Sequence, residues 1–147
     1  MTATTAKASV VVKAPRHRVW EALTDPTLIP QYFMGAEIDT DWKVGHPIKF
    51  KGEWKGKPFE DKGEILTFEP HREMSYSHWS PLEGKDDVPD NYHVVHIALR
   101  EVEEGTEVVL DQSNLNGQVT EDDRQHREDY EKNWSGMLAG LKKVAEN

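Results

Sequence analysis

The stretch from Thr120 to Asn147 carries the clearest pattern in the chain. Tyr130, Trp134, Met137, Leu138, Leu141, Val144 and Ala145 recur at helical spacing, which predicts one apolar stripe on an otherwise charged helix. Thr120 suits the N-cap. Glu121, Asp122 and Asp123 complement the positive end of the helix dipole, and Lys142 and Lys143 the negative end. The acidic run reads as a solvated helix start, which Glu128, Asp129 and Glu131 extend into a possible partner surface. Taken from about residue 121 to 145, the helix is roughly 37 Å long, enough to cross a sheet. Gly136 and Gly140 lie off the stripe and predict close approach to a neighbour, the short N-terminal helices.

The rest of the chain alternates with a period of two. Ser9 to Ala14 predicts a strand with Val10, Val12 and Ala14 on one face. Pro15 then opens a short helix that presents Val19, Trp20 and Leu23. Asp25 and Pro26 start a second short helix with Leu28, Ile29, Tyr32 and Phe33, which Pro30 keeps short. From Gly35 the pattern is strand-rich. Ala36, Ile38 and Thr40 alternate with acids, and Ile48, Phe50, Gly52 and Trp54 alternate with Lys and Glu. Lys55-Gly56-Lys57 turns a hairpin. Phe59 to Glu69 is the next strand, with Ile65 on one face and Leu66 and Phe68 on the other. Met74, Tyr76 and His78 share a face of a further strand, and Ser80 to Asn91 reads as an exposed loop. In the strand Tyr92 to Glu103, Val95, Ile97 and Leu99 point one way; in Thr106 to Leu115, Val108, Leu110, Gln112 and Asn114 share a register.

Composition narrows the function classes. The chain has 147 residues, suiting one domain over 1–147, and a formal net charge of −9. That charge argues against nucleic acid or an anionic membrane as main partner. With no cysteine, thiolate catalysis, disulfides and Cys-ligated metal sites are impossible. The polar opening Met1 to Ala8 does not resemble a signal peptide, and no apolar run reaches membrane-spanning length, so a cytoplasmic protein is expected. The sequon Asn133-Trp134-Ser135 is then a chance match.

Several stretches together resemble a known family. Val10 to Pro26 (VVVKAPRHRVWEALTDP) is similar to the opening strand and helix of the START-like, or SRPBCC, superfamily. Gly63-Glu64-Ile65-Leu66 with Glu69-Pro70 resembles its central strand, and Gly105 to Leu110 its penultimate hairpin. Trp134, Leu138 and Leu141 match its closing positions. The whole resembles the branch of homologues of the activator of the heat-shock protein 90 ATPase. The resemblance implies an α+β helix-grip fold: a curved antiparallel sheet of about six or seven strands wrapped around the C-terminal helix, two short helices after the first strand, and a cavity between sheet and long helix. Two departures stand out. The separate N-terminal domain of the eukaryotic co-chaperones has no counterpart in these residues, and Gln31-Tyr32-Phe33-Met34 replaces a Trp-containing segment.

On that fold, Trp54, Tyr130, Trp134 and Met137 are candidates to line the cavity, and Tyr76, His78, Gln112 and Asn114 are the few polar groups able to orient a ligand there. His78 is the candidate general base, though spacing supplies it no acid–base partner. His93 and His96 are three apart in a strand, point to opposite faces and lack a third ligand, so they read as surface or edge histidines rather than a metal site. No HExxH, P-loop or GxSxG motif occurs, and no cofactor is expected. Three functions follow: a binder of a hydrophobic small molecule, a polyketide-cyclase-like or hydrolase-like enzyme using His78, or a stress- or chaperone-linked protein-interaction module.

Overall fold

Alternation and turn chemistry organise seven strands into one antiparallel sheet. The computed structural model describes residues 4–33 and 35–147, and every side chain among them except that of Trp54. The Met34 of the second departure lies outside the described residues. The elements are β1 (Thr4–Val12), α1 (Arg16–Thr24), a 3-10 turn (Ile29–Gln31), β2 (Glu37–Asp39), β3 (Pro47–Trp54), β4 (Lys57–Glu69), β5 (Glu73–His78), β6 (His93–Val102), β7 (Gly105–Asn114) and α2 (Glu121–Glu146). The strand order is β1-β7-β6-β5-β4-β3-β2. α2 packs on β1 and on α1. This is the α+β helix-grip architecture that the sequence pattern and the resemblance imply.

Four local readings change. β1 starts at Thr4 rather than Ser9, so most of the polar opening is strand. The second short helix contracts to one 3-10 turn, because Pro30 lacks the N–H that a further helical turn needs. The loop from Ser80 to Asn91 holds two 3-10 turns, Pro81–Glu83 and Pro89–Asn91. The fourth change concerns β4. Pairing with β5 shifts register between Ile65 and Thr67, so Ile65 faces Tyr76 while Phe68 faces Met74. That bulge turns Phe68 toward the core instead of away from it. There it meets Trp20 at 5.3 Å and Trp42 at 5.6 Å between ring centroids.

The hairpin after β3 closes through Lys55 and Gly56, both at positive φ (52° and 80°), matching the twist of its strands. Beyond it, Gly63 is required by a close approach. A Cβ there would sit 1.7 Å from the Ser77 carbonyl oxygen.

Side chains from the helices finish both the sheet edge and the helix end. β1 is an edge strand whose outward N–H groups would otherwise be left to solvent. Lys7 and Lys13 N–H donate to Glu131 and Glu146 of α2 at 2.9 and 2.8 Å, and Lys142 donates to the Val11 carbonyl at 3.1 Å. At the C-terminus of α2, Arg18 of α1 donates to the carbonyls of Val144, Ala145 and Asn147. These are the carbonyls that a helix leaves without intrahelical partners.

Candidate functional site: an aromatic cavity with a histidine–carboxylate end

The stripe on α2 has two environments. Leu138, Leu141 and Ala145 are buried against Val12, Val19, Trp20 and the sheet, forming a filled core. Toward the N-terminus of α2 the contact opens into a cavity of about 770 Å³. Its α2 wall comprises Tyr130, Asn133, Trp134, Gly136 and Met137. Tyr32 and Phe33, just after the 3-10 turn, form a second wall. Phe59 and Asp61 of β4, His78 of β5, His93 and Val95 of β6 and Gln112 of β7 form the floor, and Ser80, Leu82 and Glu83 the rim.

The two helix glycines divide the expected roles. Gly140 sits against Tyr32, where a Cβ would lie 2.8 Å from the tyrosine Cβ, as close approach requires. Gly136 has open space around it and lines the cavity instead. The hydroxyl of Tyr32 donates to the Ala22 carbonyl at 2.7 Å, tying the turn to α1, and burial raises its pKa. Gly52 serves the floor: a Cβ there would meet the Phe59 ring at 2.9 Å.

Polar groups on the floor form two linked sets. Trp134 Nε1 donates to Gln112 Oε1 at 2.7 Å, joining helix wall to floor. His78 Nε2 lies 2.9 Å from Asp61 Oδ2, and its ring meets Phe50 edge-on at 5.3 Å. Asp61 is 9 % exposed, and its Oδ1 has no hydrogen-bond partner among the described residues. Leaving a buried acceptor unpaired costs about 1–3 kcal/mol.

His93 stands directly opposite His78 in the register of β5 and β6. Asn114 donates both amide hydrogens, to the Gln118 carbonyl and to Asp123 Oδ2, each at 2.7 Å. Its Oδ1 is therefore left to accept from His93 Nδ1 at 3.0 Å. His93 Nε2 faces Glu83 Oε1 at 3.3 Å. Burial pulls the His93 pKa down. The hydrogen bond and charge of Glu83, the Asn114 oxygen and the charge of Asp123 outweigh it, holding the value above that of an ordinary histidine. Glu83 is held low chiefly by its bond to His93, helped by the charges of His93, Lys85 and His78 against its own burial. Both ring nitrogens thus face acceptors, an arrangement that favours the protonated ring.

Of the residues singled out in the sequence, His78, Gln112, Tyr130, Trp134 and Met137 line the cavity. Tyr76 points inward but is packed against Phe50, ring centroids 5.3 Å apart, in the core beside it. Asn114 is buried behind the wall, occupied by His93, Gln118 and Asp123. The side chain of Trp54 is outside the described set. His93 is not a surface or edge histidine: its side chain is 12 % exposed, because it shares the inward face with Val95 and Ile97. Asp123 is not solvated either. It is 4 % exposed and closes a capping box with Thr120 while accepting from Asn114.

Asp61 and Glu83 escaped the sequence reading, as did the inward placement of Phe59 and His93. A signal existed for three of the four. Phe59 and Asp61 share parity with Ile65 on β4, and His93 with Val95 on β6, so charged or titratable residues recur at inward positions. Glu83 carried none, since a loop residue has no period. Among the described residues no cluster of His, Asp and Glu is placed to hold a metal ion, and no helix is long and apolar enough to cross a membrane.

A curved antiparallel sheet, a long C-terminal helix laid on it and a cavity between the two define a helix-grip protein of the SRPBCC superfamily. Within it, the chain belongs to the family of activator of Hsp90 ATPase homolog 1-like proteins, whose family model matches residues 13–146. A protein of Cytophaga hutchinsonii with a solution structure is 48% identical, covering 97% of this chain and 93% of that one, with a TM-score of 0.77. CalU16 from Micromonospora echinospora is 25% identical over 95% of this chain and 73% of that chain, with a TM-score of 0.67. DynU16, from the dynemicin biosynthetic locus, is 20% identical over 97% of this chain and 47% of its own, with a TM-score of 0.75; that likeness shows the fold alone. No relative was found among curated proteins.

Proposed function

We propose that this protein holds an apolar small molecule between α2 and the inner face of the sheet. The supporting observation is the cavity itself: about 770 Å³, walled by Tyr32, Phe33, Phe59, Tyr130 and Trp134, with Asp61, His78, His93 and Gln112 among the polar groups of its floor. Sites for small ligands span about 300–1,000 Å³ and pair apolar walls with a few placed polar groups. Trp134 is the natural reporter, since its indole spans the cavity wall and bonds Gln112. A ligand beside it alters its emission, and binding to the folded state alone stabilises by about 2.7 kcal/mol at a concentration 100-fold above Kd.

The test is a titration with fatty acids, flavonoids and polyketide-like aromatics, following tryptophan emission and melting temperature, with Trp134→Phe identifying the responding indole. A saturable change lost in Trp134→Phe, with a raised melting temperature, is the expected result. Unchanged emission and melting temperature across the panel would defeat the reading.

A further inference from the structure

We propose that the polar floor of the cavity is an acid–base site, in which His78 removes a proton from carbon next to the carbonyl of a bound apolar ketone. The inference rests on the cavity-binding reading and names a chemistry for it. Three observations carry it.

First, the orientation of His78 is set. Asp61 accepts from Nε2 at 2.9 Å, and Phe50 holds the ring edge-on. Nδ1 then has no hydrogen-bond partner among the described residues, on a side chain that lines the cavity. A carboxylate behind an imidazole whose other nitrogen is free is the arrangement of a positioned general base.

Second, Asp61 is kept buried with one oxygen unpaired, which packing alone does not call for. It is a positioning residue, acting through His78. Third, His93 stands opposite His78 on the same face of the floor, with Asn114 and Glu83 on its two ring nitrogens and its protonated form favoured by them. A fixed cation beside a base stabilises the anion that proton removal creates.

The step balances without a co-reactant. The α C–H bond breaks and its proton bonds to Nδ1. The C–H electron pair becomes the enolate double bond as the carbonyl π pair moves onto oxygen, beside His93. Return of a proton from Nδ1 to carbon restores the ketone.

The probe is 2-tetralone, a bicyclic ketone, in deuterated buffer. Proton NMR follows loss of its C1 hydrogens, and Trp134 emission follows binding. Wild-type protein is expected to exchange them saturably, at least tenfold faster than buffer. His78→Gln should remove the excess with binding retained. Asp61→Asn should lower kcat about tenfold with KM little changed. Nitrogen-15 NMR of the unmodified protein should show the His78 tautomer protonated at Nε2, a signature that needs no variant to fold. Finding it protonated at Nδ1 would overturn the proposal, as would bound 2-tetralone exchanging no faster than buffer or equally fast in His78→Gln. Those results leave the binding reading standing. No response of Trp134 to the probe or the wider panel overturns both.

Discussion

The two halves of α2 carry one apolar stripe and do different work. In the C-terminal half, Leu138, Leu141 and Ala145 meet β1, α1 and the sheet and are buried. In the N-terminal half, Tyr130, Trp134 and Met137 are only partly buried because they face the cavity. The periodicity of a helix says which face is apolar; the distance to the opposing surface decides whether that face becomes core or cavity wall. A residue in the filled half is judged by packing, and one in the open half by what enters.

The largest expected effect breaks the filled half. Leu141→Ala should cost about 3 kcal/mol, because it removes methyl groups and leaves a void that close-packed neighbours cannot fill. Met137→Ala should cost under about 1 kcal/mol, since its side chain already borders empty space, but should weaken apolar ligands. Urea unfolding compares the two, and equal costs would erase the contrast.

Next in size are the helix glycines, which should respond with opposite sign. Gly140→Ala forces a methyl against Tyr32 and should destabilise by about 1–2 kcal/mol. Gly136→Ala has open space and should stabilise by up to about 1 kcal/mol through helix propensity, while narrowing the cavity mouth. Thermal melts and ligand titration on both variants read stability and access separately.

A smaller effect sharpens the polar floor of the open half. His93 has a raised folded pKa, so its contribution is complete below its unfolded value, near 6.5, and is lost as pH rises through the raised value. Glu83 is lowered, so its contribution is present above its unfolded value of 4.5 and is lost as pH falls through the lowered one. Melting temperature should therefore be highest between these limits, and His93→Gln should flatten the alkaline side. An unchanged profile in His93→Gln would remove this histidine from the account.

The smallest effect concerns the edge of the sheet. Glu131→Ala should leave the melting temperature nearly unchanged, yet speed hydrogen exchange at the Lys7 amide that it now covers. Exchange no faster than in the wild type would show that the edge is protected without that glutamate.

Much of the fold was legible because its signals are local and periodic. Inward alternation marked Ile48 and Phe50 on β3, Val95 to Leu99 on β6 and Val108 to Asn114 on β7. Thr120 was legible as the N-cap because capping involves neighbours in sequence. Phe68 was misread since a bulge adds one residue to a strand without announcing itself in the alternation. His93 differs for another reason: its spacing from His96 says only that the two face opposite ways, whereas its parity with Val95 turns it inward.

Within the candidate site, the sequence named His78, Gln112, Asn114 and Trp134 but not the carboxylates that meet its histidines and Asn114. Asp61 reaches His78 across the β4–β5 pairing, Glu83 reaches His93 from a loop, and Asp123 reaches Asn114 from the start of the helix. By itself the sequence determined most of the elements, most of their buried faces and the apolar stripe of the long helix, because each follows from side chains repeating at 2.0 or 3.6 residues along one segment. Only the tertiary structure decided that one end of that helix closes onto a core while the other stands off from it, and which carboxylate meets which histidine. Those outcomes depend on contacts between segments far apart in the chain, where no local period records which residue will stand opposite which.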